Sequence, residues 1–126
     1  TSTAASVVLS ADMRGHFVTD GQINGVPTRF IVDTGATVVS IPASEARRMA
    51  LDFRKGQMVM MNTANGTTAA YRIKLDTVRV GDVSVNNVDA VVMEAASLQA
   101  ALLGMSFLNR MDMKREGDTL TLTKRY

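Results

Sequence analysis

Asp33-Thr34-Gly35 follows the apolar run Phe30-Ile31-Val32, and Asp33 is the one aspartate in the chain that precedes Thr-Gly. A carboxylate set directly after a buried strand costs desolvation energy unless a neighbouring group uses it. Gly35 lets the backbone turn tightly and bring amide N–H groups towards that carboxylate. The chemistry on offer is acid–base work by one carboxylate, which is half of a paired-carboxylate site. Alone, the tripeptide also fits a plain turn in which Asp33 bonds to its own backbone. Its context adds to it: Ala36 and a β-branched run follow, and Leu102-Leu103-Gly104 forms a second apolar loop, with Gly104 seventy-one positions after Asp33. That second loop is expected to pack against the first and hold it rigid.

Few other residues offer chemistry. His16 is the only histidine and has neither a serine elbow nor a second metal ligand beside it in sequence, so a structural or surface role is expected. There is no cysteine, which removes disulfides, thiolate metal sites and cysteine nucleophiles. Gly21, Gly25 and Gly66 read as turn residues and form no phosphate-cradling pattern, and Asp20, Asp82 and Asp118, each beside a glycine, read as turn residues too. Met58, Met60 and Met61 fit either adaptable apolar subsites or, more commonly at strand spacing, core.

Composition sets the frame. With 126 residues, 46% apolar and 21% charged, the chain has the size and balance of one globular domain. Aromatics make up 5% and Trp is absent, so the core is expected to rest on Val, Ile, Leu, Ala and the nine Met. The formal charge is +2, and the basic residues are scattered, in pairs such as Arg47-Arg48 and Arg54-Lys55 that read as a solvated face. That distribution argues against a nucleic-acid platform. No apolar run reaches the length of a membrane span. The stretch 1–6 reads as a linker left after removal of an anchor, a signal segment or a longer chain, with 1–12 as linker and first strand and 13–126 as a single domain.

The elements that must position Asp33 are short strands separated by turn signals. Segments 15–23 and 26–33 flank Asn24-Gly25, a two-residue hairpin signal. A short strand over 38–41 precedes a helix of about two turns over 44–49, opened by Pro42 and with Ser44 as candidate N-cap. A second hairpin, 57–64 with 67–75, has Asn65-Gly66 at its tip. Segments 77–80 and 83–93 pair around Gly81-Asp82. The run 100–103 ends at Gly104, 105–110 reads as one or two helical turns, and 111–115 with 119–124 close the chain as a hairpin. Strands with turns about every ten residues predict a small barrel or sandwich. A faint echo between 22–33 and 80–104 suggests an internal repeat.

Three ordered motifs then resemble one family: Asp33-Thr34-Gly35-Ala36, the hairpin tip Thr63-Ala64-Asn65-Gly66, and Leu102-Leu103-Gly104-Met105-Ser106-Phe107-Leu108. Over about 15–123 the chain resembles the retropepsin-like aspartic proteases, most of all the single-domain bacterial members, and its closing hairpin is similar to that of the protease domain of the DNA-damage-inducible ubiquitin adaptors. The resemblance implies a mostly β, closed barrel with one or two short helices. It implies an aspartic endopeptidase acting on peptide or protein substrates, with no metal or organic cofactor, whose catalytic Asp33 meets a second copy across a homodimer. Thr34, Gly35, Ala36, Leu102, Leu103 and Gly104 would support the active-site loop. Met60, Met61, Asn62, Thr63, Ala64, Asn65 and Gly66 would form the flap and contact substrate. Ala36 stands where many two-lobed relatives have Ser, which removes a hydroxyl donor to the carboxylate. Tyr71, on the returning strand, is kept outside the catalytic set. A periplasmic or inner-membrane-anchored location follows from the likeness, with any membrane contact made by a segment outside this sequence.

Other classes stay open at this point. A catalytically silent peptide-binding module keeps the same fold, and a structural interaction domain uses Asp33 only to pin a turn. Action on non-peptide amides is a further reading.

Overall fold

Asn24 and Gly25 both adopt positive φ, 50° and 82°, the backbone a two-residue turn needs to match strand twist. They join β2 (Val18–Ile23) to β3 (Val26–Val32) in antiparallel register, with Ile23 opposite Val26. The same Asn24 also fixes the seam of the barrel. Its N–H donates to the Thr77 carbonyl at 2.9 Å, and its side-chain oxygen accepts from the Thr77 N–H at 3.1 Å.

The computed structural model describes residues 5–63, 66–94 and 100–125. Besides β2 and β3, its elements are β1 (Ser6–Ser10), β4 (Val39–Pro42), α1 (Ala43–Arg48), a single 3-10 turn (Phe53–Lys55), β5 (Gln57–Thr63), β6 (Gly66–Val80), β7 (Val83–Met93), β8 (Ala101–Leu103), α2 (Met105–Leu108), β9 (Met111–Glu116) and β10 (Thr119–Lys124). Seven strands form one sheet in the order β2-β3-β8-β4-β7-β6-β5. Pairing of Gln22 with Arg79 and Ile23 with Val78 joins β2 to β6, closing six of those strands into a barrel, with β5 extending outward from β6. A second, three-stranded antiparallel sheet has the order β1-β10-β9. The expected closed, mostly β barrel with two short helices is what the chain forms.

The barrel interior is apolar: Phe30, Phe107, Ile23, Ile41, Leu75 and Leu103 are fully buried. Burying a side chain such as Phe30 contributes about 1.5–3 kcal/mol. All four Phe are buried, whereas among the methionines only Met49 and Met111 are, so aliphatics and Phe carry most of the core and Met contributes little of it. Met58 and Met60 are 58% and 62% exposed. Strand β5 hangs off one edge of the barrel, so neither of its faces is covered as a central strand's would be.

Several local expectations change. The helix α1 starts at Ala43 with Pro42 as N-cap, and Ser44 lies inside it, exposed and capping nothing. A proline there loses nothing, because N–H groups at a helix start have no intrahelical acceptor. Segments 67–75 and 77–80 are one continuous strand, β6, whose ladder with β5 runs from Gln57 opposite Arg72 to Thr63 opposite Gly66. Gly66 therefore belongs to the strand; Ala64 and Asn65, the rest of the expected tip, lie outside the described residues. Gly21 is no turn residue but sits inside β2, where a Cβ would meet the Arg79 carbonyl oxygen at 2.5 Å and the Phe30 ring at 2.8 Å. Asp20, also in β2, faces Arg29 at 3.9 Å. The first strand begins at Ser6, within the expected linker, and pairs with β10.

Candidate active site

Asp33 is the residue immediately after β3, and its placement is set by the strand beside it. β8 lies between β3 and β4 and runs parallel to β3, with Phe30, Ile31 and Val32 opposite Ala101, Leu102 and Leu103. The ladder continues one step past the strand end, where the Asp33 N–H donates to the Leu103 carbonyl at 3.2 Å. Two bonds then fold the turn: the Ala36 N–H donates to the Asp33 carbonyl at 3.2 Å, and the Gly35 N–H to Asp33 Oδ1 at 2.9 Å. The Asp33 side chain is half-buried, while Thr34 and Gly35 are exposed.

The second apolar loop supports the first from below. The Met105 N–H donates to the Ala36 carbonyl at 2.8 Å, at the first residue of α2. Gly104 is buried so closely beneath this turn that a Cβ would run into the carbonyl oxygens of Val38 and Ala36. Leu103 is fully buried and Leu102 half-buried opposite Ser40 of β4. The turn after β3 and the turn after β8 are thus in direct contact.

Ser106 was not singled out as a site residue, yet it ties three elements together. Its hydroxyl donates to the Asp89 carbonyl of β7 at 2.6 Å and accepts from the Val39 N–H of β4 at 3.0 Å. The sequence marks it only as a member of the 102–108 motif, with no role attached.

Next to the loop, starting four residues beyond Asp33 at Thr37, a cleft of about 370 Å³ opens between β5 and the barrel. Met60 and Met61 line it from β5, and Ala90 and Val91 from β7, so two of the three candidate methionines face a cavity rather than core. Arg72 and Asp89 supply its charge. Asn62 is exposed on β5 opposite Thr67, and Thr63 pairs with Gly66. Tyr71 is half-buried with its ring 5.5 Å from that of Phe53.

Thr34 faces a different cleft, of about 330 Å³, shared with His16, Phe17, Met113 and Arg115. His16 is exposed, and its backbone N–H and that of Arg14 donate to Asp12 Oδ1, each at 2.9 Å. The His16 N–H, joined by the weaker effect of the Arg14 N–H, holds the Asp12 carboxyl below its usual range. The basic group on the outside is mostly compensated. Arg47 and Arg54 flank the Phe53 ring at 5.8 and 5.9 Å and each reach Glu94 at 3.5 Å, while Arg48 pairs with Glu45 at 2.9 Å and Lys55 with Asp52 at 3.2 Å. Arg48 in turn holds the Glu45 carboxyl below the ordinary glutamate range.

A six-strand barrel with an Asp-Thr-Gly turn braced by a second glycine loop defines an aspartic-protease type of domain. Residues 19–110 match the family model described as gag-polyprotein putative aspartyl protease, and the chain belongs to that family of retropepsin-like aspartic proteases. It is 33% identical over 108 residues to an uncharacterized protein encoded in the cobV 5′ region of a Sinorhizobium species, covering 85% of this chain and 46% of that protein. It is 31% identical over 105 residues to an uncharacterized protein of Rickettsia prowazekii, covering 82% of this chain and 45% of that protein. The chain therefore spans about half the length of the curated relatives it matches. Among solved structures it is similar to a retropepsin-like aspartic protease from Rickettsia conorii, with 29% identity, a TM-score of 0.83, and coverage of 97% of this chain and 92% of that one. The protease of EIAV, solved with the inhibitor HBY-793, shares the fold at 17% identity and a TM-score of 0.61, with coverage of 80% and 92%.

Proposed function

We propose that this domain is one half of an aspartic endopeptidase, with a catalytic pair made of Asp33 and the Asp33 of a second copy. The observation that carries the reading is the Asp33 turn itself: a half-exposed carboxylate at the end of a parallel-paired strand, held by the Gly35 N–H and braced by Gly104 and Met105. Such bracing fixes a carboxylate in a defined orientation, which acid–base catalysis needs and a mere turn does not.

Two like charges this close do not both ionise, so the pair shares one proton. The ionised member takes a proton from a bound water as its oxygen attacks the peptide carbonyl carbon. The protonated member donates to the carbonyl oxygen, giving a neutral tetrahedral diol. Collapse of the diol breaks the C–N bond, one hydroxyl proton returns to the pair, and the amine nitrogen leaves with the proton it receives from the other carboxyl. The roles belong to the pair and not to either subunit. Thr34, exposed beside Asp33, would hydrogen-bond across the twofold axis, and Gly35 and Ala36 would offer N–H groups to the carboxylates. An extended peptide would lie between the β5–β6 hairpin, acting as a flap, and the Asp33 floor, held by strand-like main-chain bonds. The domain would act in the periplasm or tethered to the inner membrane, a location that cell fractionation tests.

The deciding experiment compares wild type with Asp33→Asn on a random peptide library from acidic to neutral pH. Loss of a general acid–base pair is expected to lower cleavage by about 10²- to 10⁴-fold. Equal cleavage by the two proteins would sink the Asp33 protease reading, and cleavage by neither would leave the peptide-binding module in its place.

A further inference from the structure

The cleft beneath β5 has an unequal charge lining. Its carboxylate, Asp89 of β7, lies directly opposite Lys74 of β6, and the two groups are 3.6 Å apart. Its guanidinium, Arg72 of β6, lies opposite neutral residues on both sides, Gln57 of β5 and Val91 of β7. Among the described residues the Arg72 side chain makes neither a hydrogen bond nor an ion pair, although Arg47, Arg48 and Arg54 each have a carboxylate. The backbone under it is pinned, because Gly56 packs against the Arg72 carbonyl so tightly that a Cβ would overlap it. The remaining walls include Met60, Met61, Ala90 and Val91, apolar side chains that bring no competing charge to the cleft.

From this placement we propose that Arg72 makes the cleft select a peptide carrying an Asp or Glu side chain at the position that enters it. The inference rests on the peptidase reading above and specifies its substrate class. Charge complementarity singles out a carboxylate: the cleft's own carboxylate is already balanced by Lys74, so its surplus charge is positive. A planar guanidinium accepts a carboxylate through two parallel N–H···O bonds, which an extended strand delivers side-on from its alternating side chains.

The test uses wild type, Arg72→Lys, Arg72→Gln and Arg72→Glu on a peptide library with every residue type at each position around the cut. Wild type is expected to enrich Asp and Glu at one fixed position on the order of fivefold, a modest factor because Arg72 is solvent-exposed. Arg72→Lys retains part of that enrichment, Arg72→Gln abolishes it, and Arg72→Glu replaces it with Lys and Arg. Cleavage without acidic enrichment in wild type, enrichment that survives Arg72→Gln, or a wild-type preference for Lys and Arg overturns the inference while leaving the peptidase reading intact. If wild type cleaves nothing, the peptidase reading falls, and fluorescence anisotropy with a Glu-containing peptide and its Gln counterpart decides the inference. Tighter binding of the Glu peptide, lost in Arg72→Gln, supports it; equal binding, or none, overturns it.

Discussion

At Asp33 the carboxylate accepts one backbone hydrogen bond, from Gly35 at 2.9 Å, and the neighbouring Ala36 contributes a methyl group where a hydroxyl would add a second donor. A donor favours the charged form of the group it serves. Ala36→Ser is therefore expected to move the acidic limb of the kcat/KM profile to lower pH, because more acid is then needed to protonate the proposed pair. An unchanged acidic limb in that variant counts against the role given to position 36. The Asp-Thr-Gly turn was legible in the sequence because its residue types are local: the glycine, the acid and the strand before them are consecutive. Ser106 and Arg72 were not, because their significance comes from neighbours 17 to 67 residues away in the first case and from the absence of a charged cross-strand partner in the second.

The elements that hold the site are short, and each depends on another. β8 has three residues and is ordered by β3 on one side and β4 on the other. α2 has four residues, too few to persist as an isolated helix. What anchors both is Gly104 beneath the Asp33 turn and the Ser106 hydroxyl bridging β4 to β7. Ser106→Ala leaves the Val39 N–H without this acceptor and the Asp89 carbonyl without this donor. The expected cost is about 1–3 kcal/mol in unfolding free energy, read from urea titration. If the bridge positions the site as well as stabilising it, kcat falls more than the stability loss at working temperature requires; loss of stability with unchanged kcat would restrict Ser106 to a structural role. Element boundaries followed the turn residues well at Asn24-Gly25 and less well at 66–80. There the hairpin partner, and not a local breaker, decides that Asp76 is passed without interruption of β6.

For the whole molecule, one chain supplies one Asp-Thr-Gly turn, so the proposed site belongs to a pair of chains. Mixing wild type with Asp33→Asn under subunit exchange is then expected to lower activity as the square of the wild-type fraction, since only pairs with two aspartates function. A linear decline, measured with a fixed total chain concentration, would show that each chain works alone. The barrel itself is held at the β2–β6 seam, where Asn24 serves both the hairpin turn and the Thr77 backbone.

The sequence by itself determined the strand-rich class, the positions of most turns, the position and local context of the Asp33 turn and, through three ordered motifs, the family. These rest on consecutive residues or on spacing, which the chain carries without folding. Tertiary structure decided what the charges and methionines face. It placed Met60 and Met61 at a cleft instead of the core, balanced Asp89 with Lys74, and left Arg72 between Gln57 and Val91. Those outcomes depend on cross-strand register and on an edge strand standing away from the barrel, and both are fixed only when the sheet closes.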